Sequence, residues 1–296
     1  MATRQILVSK KDLSAVLPKR RREAHKGDYG RLLVVGGGSR YVGAPALVGL
    51  AALRSGVDLA IIAAPERAAW TINSLSPDLI TIKLPCRDLE PPALSELRNE
   101  FKRSTAVVVG PGLGTLAKTH DAVLELARTL REEHPSMPAL FDADGLKALA
   151  LERSLARGMP WVLTPHAREF EQLTGADLPS DTKGRARQVK VAARELGCTI
   201  LLKTWVDVIA SPEGEVALNR TGNPGMTVGG TGDVLAGIVG AFLARRIDPF
   251  GAAIAGAWAC GRAGDLCLRE KGYWFVASDL VEKLPEVFRE VTRRRR

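Results

Sequence analysis

No stretch of about 18 consecutive apolar residues occurs in this 296-residue chain, so the sequence offers no membrane span. Met1 to Lys11 also lack the uninterrupted apolar core of a secretory signal, and the expectation is a cytoplasmic protein with no membrane partner. Cysteine is scarce, and Cys86, Cys198, Cys260 and Cys267 form no CxxC pair. Cys260 and Cys267 fall two turns apart on a helical pattern, roughly 10 Å at about 1.5 Å per residue, which is too far for a disulfide. Histidine is equally scarce: His25, His120, His134 and His166 form no HExxH. A structural zinc site therefore has no spacing to support it, and the thiols read as free and buried. Aromatic residues make up 5% of the chain and none is interleaved with its basic runs, which argues against nucleic acid as a partner. No Gly-Lys-Ser/Thr follows a glycine-rich loop, and a P-loop ATPase is disfavoured.

Charge is present with one sign in excess. The formal charge of +9 is carried partly by Lys19-Arg20-Arg21-Arg22 and by Arg293 to Arg296, which read as solvated basic tails at the two ends. A basic surface also suits polyanionic small molecules such as nucleotides.

Short apolar runs at residues 32–35, 59–63, 106–109, 139–142, 161–163 and 199–202 alternate with longer helical patterns. Alternation of this kind predicts α/β architecture with a largely parallel sheet, and the runs are apolar throughout, as in strands covered on both faces. After Lys203 the pattern changes: residues 206–210 and 215–219 flank Ser-Pro-Glu-Gly, a turn joining two antiparallel strands. Two long apolar helices follow, at residues 230–245 and 250–269, divided by Asp248-Pro249. With no linker or repeat in view, residues 1–296 read as a single domain.

The strongest chemical signal runs from Gly222 to Leu235, where five glycines within eleven residues precede an apolar helix. Gly229, Gly230, Thr231 and Gly232 can turn successive N–H groups toward a phosphate at the positive end of the helix dipole. Asp233, in the first helical turn, would then face the group to which phosphate is transferred, the place for a general base. A flexible turn with Asp233 merely capping the helix is the plain structural alternative.

The run Gly229-Gly230-Thr231-Gly232-Asp233 resembles the anion hole and catalytic aspartate of ribokinase-like enzymes, which have a three-layer α/β/α fold. Further segments are similar to the ADP/ATP-dependent NAD(P)H-hydrate dehydratases of that superfamily. They are Lys26-Gly27-Asp28-Tyr29-Gly30, Val34-Val35-Gly36-Gly37-Gly38-Ser39, Tyr41-Val42-Gly43-Ala44-Pro45, Gly110-Pro111-Gly112-Leu113-Gly114, Asp142-Ala143-Asp144-Gly145-Leu146 and Leu163-Thr164-Pro165-His166-Ala167-Arg168-Glu169-Phe170. The resemblance runs from about Lys26 to Arg269.

It implies a repair enzyme that returns NADH hydrate or NADPH hydrate to the reduced cofactor, consumes ADP or ATP with Mg2+, and releases phosphate. It implies also a homo-oligomer working alongside an NAD(P)H-hydrate epimerase. Ala44, Gly112, Gly114, His166 and Asp233 are implied at the substrate. Lys203, Thr204, Trp205, Val206 and Asp207, together with Gly229 to Gly232, are implied at the nucleotide. Thr204 departs from the glycine that the family carries after this lysine, and Trp205 reads either as an adenine platform or as edge packing. Glu169 resembles an acidic residue that organises magnesium and water indirectly, or it is an ordinary first-turn glutamate. For Asp144 a helix cap is the alternative, and no metal ligand is assigned.

Two other readings compete. A vitamin-precursor or sugar kinase of the same fold would share the phosphate machinery and differ only in the acceptor pocket. A Rossmann loop at Gly36 and Gly38 fails because Tyr41 occupies the third glycine position, which close helix packing needs.

Overall fold

The structure, a computed structural model, describes residues 5–17 and 20–292. The strands are β1 (Gln5–Leu7), β2 (Arg31–Val35), β3 (Leu59–Pro65), β4 (Ile80–Leu84), β5 (Ala106–Val109), β6 (Ala139–Phe141), β7 (Trp161–Leu163), β8 (Thr199–Leu202), β9 (Asp207–Ala210) and β10 (Val216–Asn219). They form one sheet in the order β1-β10-β9-β8-β7-β6-β5-β2-β3-β4. Strands β2 to β8 pair in parallel, and β9 runs antiparallel to both β8 and β10. The expected hairpin therefore closes the parallel series, and β1 then adds parallel to β10.

Two strands escape the sequence pattern, and both are edges. β1 has three residues and little burial, while β4 alternates apolar and polar residues with only Leu84 buried. An edge strand is covered on fewer sides, so it does not need the continuous apolar run that marks the central strands.

Eleven helices cover the sheet: α1 (Lys10–Val16), α2 (Gly43–Arg54), α3 (Glu66–Leu75), α4 (Arg98–Arg103), α5 (Ala117–Glu133), α6 (Asp144–Leu149), α7 (Ala167–Thr174), α8 (Thr182–Leu196), α9 (Thr231–Ala244), α10 (Pro249–Lys271) and α11 (Ala277–Thr292) among the described residues. Strand side chains alternate between faces. Leu32, Val34, Ile62, Val108 and Leu140 join the core beneath α2, α9, α10 and α11. Leu33, Val35, Ile61, Val107 and Phe141 join a second core beneath α5, α6, α7 and α8. Every residue of α9 from Val234 to Ala244 is buried, which accounts for a helix apolar all round.

Cys198, Cys260 and Cys267 are buried free thiols, and Cys86 is partly exposed. No helix among the described residues is long and apolar enough to cross a membrane. Of the basic runs, Lys19 and Arg293 to Arg296 lie outside the described residues. Arg20 does not trail into solvent: it donates to the Gly56 carbonyl at 2.7 Å and lies over the Tyr29 ring.

Candidate active site

The carboxyl ends of β2, β5, β6, β7 and β8 open on one edge of the sheet, where parallel α/β sheets form their ligand crevices. Loops 36–39 and 110–114 are laced together there, Gly37 N–H donating to the Pro111 carbonyl at 2.8 Å. Ser39 N–H is anchored on Asp88 at 3.0 Å. Ala44, in the first turn of α2, lies beside Gly112, where an added Cβ would stand 3.3 Å from the Ala44 methyl and 3.0 Å from the Tyr41 carbonyl. Gly114 N–H donates to Asp144 Oδ2 at 2.8 Å, and Lys147 holds the other oxygen at 2.7 Å. Asp144 thus ties loop 110–114 to α6 and does not cap its own helix, whose N-cap is Ala143.

Two residues of particular weight here were not assigned a role from sequence. Asp142, 2% exposed, accepts from Lys203 Nζ at 2.6 Å and from Thr164 Oγ1 at 2.8 Å. Each lies just beyond the end of a strand, β6 and β7, inside a segment that resembles the family but with no role of its own read there. Gly110 makes the first of them possible: a Cβ there would stand 1.9 Å from the Asp142 carbonyl oxygen, and its φ of +127° is one that side chains disfavour.

His166 is both a helix cap and an edge residue. Its Nδ1 accepts from Glu169 N–H at 3.3 Å, and Glu169 Oε2 accepts from His166 N–H at 3.0 Å, a reciprocal capping box for α7. An accepting Nδ1 puts the neutral ring's proton on Nε2. Glu169, 6% exposed, is committed to this cap. Among the described residues no three His, Cys, Asp or Glu side chains are grouped to hold a metal ion.

The implied nucleotide segment separates into parts. Val206 is buried in the core, and Asp207 accepts from Thr204 N–H at 3.1 Å and from Asn219 Nδ2 at 3.0 Å, fastening the turn to β10. Burial pushes the Asp207 carboxyl up to about 6, against the hydrogen bonds from Asn219 and Thr204. Thr204 Oγ1 donates to the Val206 carbonyl, so threonine fills the usual glycine's place by bonding within the turn. Trp205 is 77% exposed, which removes the packing explanation for it.

Across the crevice, Asn223 and Gly222 are held by Asp265, and a short turn at Pro224–Thr227 leads to Gly229 and Gly230. Gly230 is the N-cap of α9 with φ 97°, and Thr231 Oγ1 donates back to the Met226 carbonyl at 2.9 Å. At Gly232 a Cβ would lie 3.6 Å from Lys203 Nζ and 3.9 Å from Asp142 Oδ2, which puts the ion pair beside the helix start.

Asp233, in the first turn of α9, is half-buried, and the N-cap makes no side-chain cap bond. Its carboxyl is pushed up to about 7, first by burial and then by Asp142, with Lys203 opposing and Asp144 adding a smaller rise. Burial alone would lower Lys203, but Asp142, Glu169 and Asp233 together hold its pKa above the ordinary lysine value.

A group whose pKa rises on folding binds its proton more tightly in the fold than in the unfolded chain. The associated stability is full below about 3.8 and is lost as pH rises through about 7. Asp233→Asn should therefore melt about 3 °C or more above the parent at pH 8.5 and within about 1 °C of it at pH 4 in thermal scans. Equal shifts at both pH values would count against a raised carboxyl.

A family profile described as NAD(P)H-hydrate dehydratase matches residues 32–286. A bifunctional NAD(P)H-hydrate repair enzyme of Pyrobaculum aerophilum is 45% identical over 285 residues, covering 96% of this chain and 56% of that protein. An ADP-dependent (S)-NAD(P)H-hydrate dehydratase of Cenarchaeum symbiosum is 38% identical, with 97% and 98% of the two chains covered. The chain spans about half the length of the bifunctional relatives it matches. Among solved structures, the ADP/ATP-dependent NAD(P)H-hydrate dehydratase of Bacillus subtilis, co-crystallised with ATP and Mg2+, superposes with a TM-score of 0.79 at 28% identity, covering 98% of this chain and 99% of that one.

Proposed function

This chain belongs to the NAD(P)H-hydrate dehydratase family, and we propose that it returns the (S) epimer of NADH hydrate or NADPH hydrate to the reduced cofactor, consuming ADP or ATP and releasing phosphate. The observation that carries the proposal is Asp233: a half-buried carboxylate with a pKa near 7, set behind a glycine-rich helix start. A proton acceptor works best when its pKa lies near the working pH.

In this reading the hydrated nicotinamide ring lies between Ala44, Gly112, Gly114 and His166 on one side and Asp233 on the other. Asp233 takes the proton of the ring hydroxyl as its oxygen receives the terminal phosphoryl group. The N–H groups of Gly229, Gly230, Thr231 and Gly232, with Lys203, stabilise the charge that develops on the transferred group. Phosphate is a far better leaving group than hydroxide; it departs as the ring nitrogen donates its electron pair, and loss of a proton from the adjacent ring carbon then forms the ring double bond of the reduced cofactor. Magnesium would come with the nucleotide phosphates, whose charge it would neutralise.

The test is to incubate the purified chain with NADH hydrate, magnesium and either ADP or ATP, following regenerated NADH by absorbance and released phosphate in the same sample. Equal amounts of both products support the proposal, and the nucleotide that yields them is the donor. Nucleotide consumption without NADH points to a kinase with another acceptor. With a mixture of hydrate epimers, part of the substrate should remain until an epimerase is added, which tests the proposed link to that activity.

Trp205 offers a second measurement. As an exposed aromatic on the β8–β9 turn, it is placed to stack on the nucleotide base, an interaction worth about 1–3 kcal/mol by alanine substitution. Trp205→Ala should raise KM for the nucleotide about fivefold or more and move Tm by less than about 1 °C. An unchanged KM would remove Trp205 from the nucleotide site.

We also propose that the chain works as a homo-oligomer, with the exposed Tyr273 and Trp274 available for contacts between copies. A monomer by light scattering at assay concentration would end that proposal.

A further inference from the structure

We propose that Asp142 is a positioning residue for this reaction, clamping Lys203 at the mouth of the 229–232 loop and, through its fixed negative charge, keeping Asp233 a competent proton acceptor. The proposal rests on the assignment of Asp233 as the base and adds the group that sets its strength.

The geometry starts in the backbone. Asp142 N–H donates to the Val109 carbonyl at 3.1 Å, and its own carbonyl accepts from Gly145 N–H at 2.9 Å. That carbonyl is pressed against Gly110, so the residue has no freedom to withdraw. Its side chain is buried and points to the α9 start, where Oδ1 takes the Lys203 ammonium at 2.6 Å and the Thr164 hydroxyl at 2.8 Å. Oδ2 lies 3.9 Å from where a Cβ on Gly232 would stand, one residue before Asp233. A Cβ at 232 would be in ordinary van der Waals contact with both members of the pair, so the ion pair lies directly against the start of α9.

The charges facing Asp233 come from two strand ends, Asp142 and Asp144 after β6 and Lys203 after β8, with Glu169 of α7 acting on Lys203. Among the described residues α2, α10 and α11, which also pack around the α9 start, contribute no charge to that set. Asp142 holds the Lys203 ammonium at 2.6 Å, and among the described residues Asp233 forms no ion pair of its own and keeps its affinity for a proton. Freed from Asp142, Lys203 would turn toward Asp233 and make it a weaker base.

The experiment is a carboxyl 13C NMR titration of the full, ligand-free chain with labelled aspartate, the Asp233 resonance being identified by its loss in Asp233→Asn. Asp142→Asn should lower the Asp233 midpoint by about one pH unit or more, and the acid limb of kcat should move with it. Lys203→Met should move the last carboxylate step upward, because two neighbouring carboxylates then share the site without a cation. Opposite shifts from the two variants are a signature that general loosening of the fold does not produce.

A folded Asp142→Asn with an unmoved Asp233 midpoint overturns the proposal. If that variant does not fold, Lys203→Met decides alone, and an unmoved last step overturns it. The titration needs no turnover, so failure of the dehydratase reading, seen as activity retained by Asp233→Asn or absent from the parent, is told apart from failure of this one.

Discussion

Replacing Asp233 with Asn is expected to lower kcat for NADH hydrate by about 10²- to 10⁴-fold while leaving nucleotide binding within about threefold. Asn keeps the size and shape of the side chain, so the α9 start and its N–H groups stay in place. It cannot accept the hydroxyl proton. In the proposed reading the nucleotide phosphates meet the 229–232 backbone and Lys203, whose ion pair is with Asp142 and not with Asp233. A loss shared equally between kcat and nucleotide affinity would instead place Asp233 among the phosphate contacts. Activity within tenfold of the parent would end its role as base.

The same site carries the largest expected effect on stability. Gly110→Ala should remove at least about 4 kcal/mol, seen as a fall in Tm of about 10 °C or more or as failure to accumulate soluble protein. Two independent causes act together. The new methyl would stand 1.9 Å from the Asp142 carbonyl oxygen and 2.7 Å from the Gly145 nitrogen, both backbone atoms that belong to the β6–α6 junction. The φ of +127° is also one that an L side chain rarely adopts. Relief would require β5 and β6 to separate at the edge that carries Asp142. Gly43→Ala is the control: an added Cβ meets nothing within 4 Å at the first residue of α2, and its Tm should stay within about 1 °C of the parent. If the two variants melt alike, the close approach at Gly110 does not hold.

Much of this architecture was legible in sequence because its signals are local. The central strands read as unbroken apolar runs since both faces are covered, and the Ser-Pro-Glu-Gly turn announced the antiparallel hairpin. The glycine-rich approach to Asp233 also lies within one contiguous stretch, as does the capping box of His166 and Glu169, although sequence alone could not separate cap from ligand. The edge strands β1 and β4 were illegible for the converse reason, since partial exposure weakens the hydrophobic pattern on which such readings depend. For Asp144 a helix cap stood as the alternative because it opens a helix, yet its partner is Gly114, thirty residues earlier in the chain.

The chain by itself determined the α/β class, the run of parallel strands, the glycine-rich anion loop and the aspartate behind it. The tertiary structure decided the surroundings that raise that aspartate's affinity for a proton. Asp142 and Lys203 are 61 residues apart in sequence, and they meet only because β6, β7 and β8 lie side by side with their carboxyl ends at one edge. A carboxyl's proton affinity depends on burial and on neighbouring charge, and both are properties of the folded arrangement, which no local pattern of residues encodes.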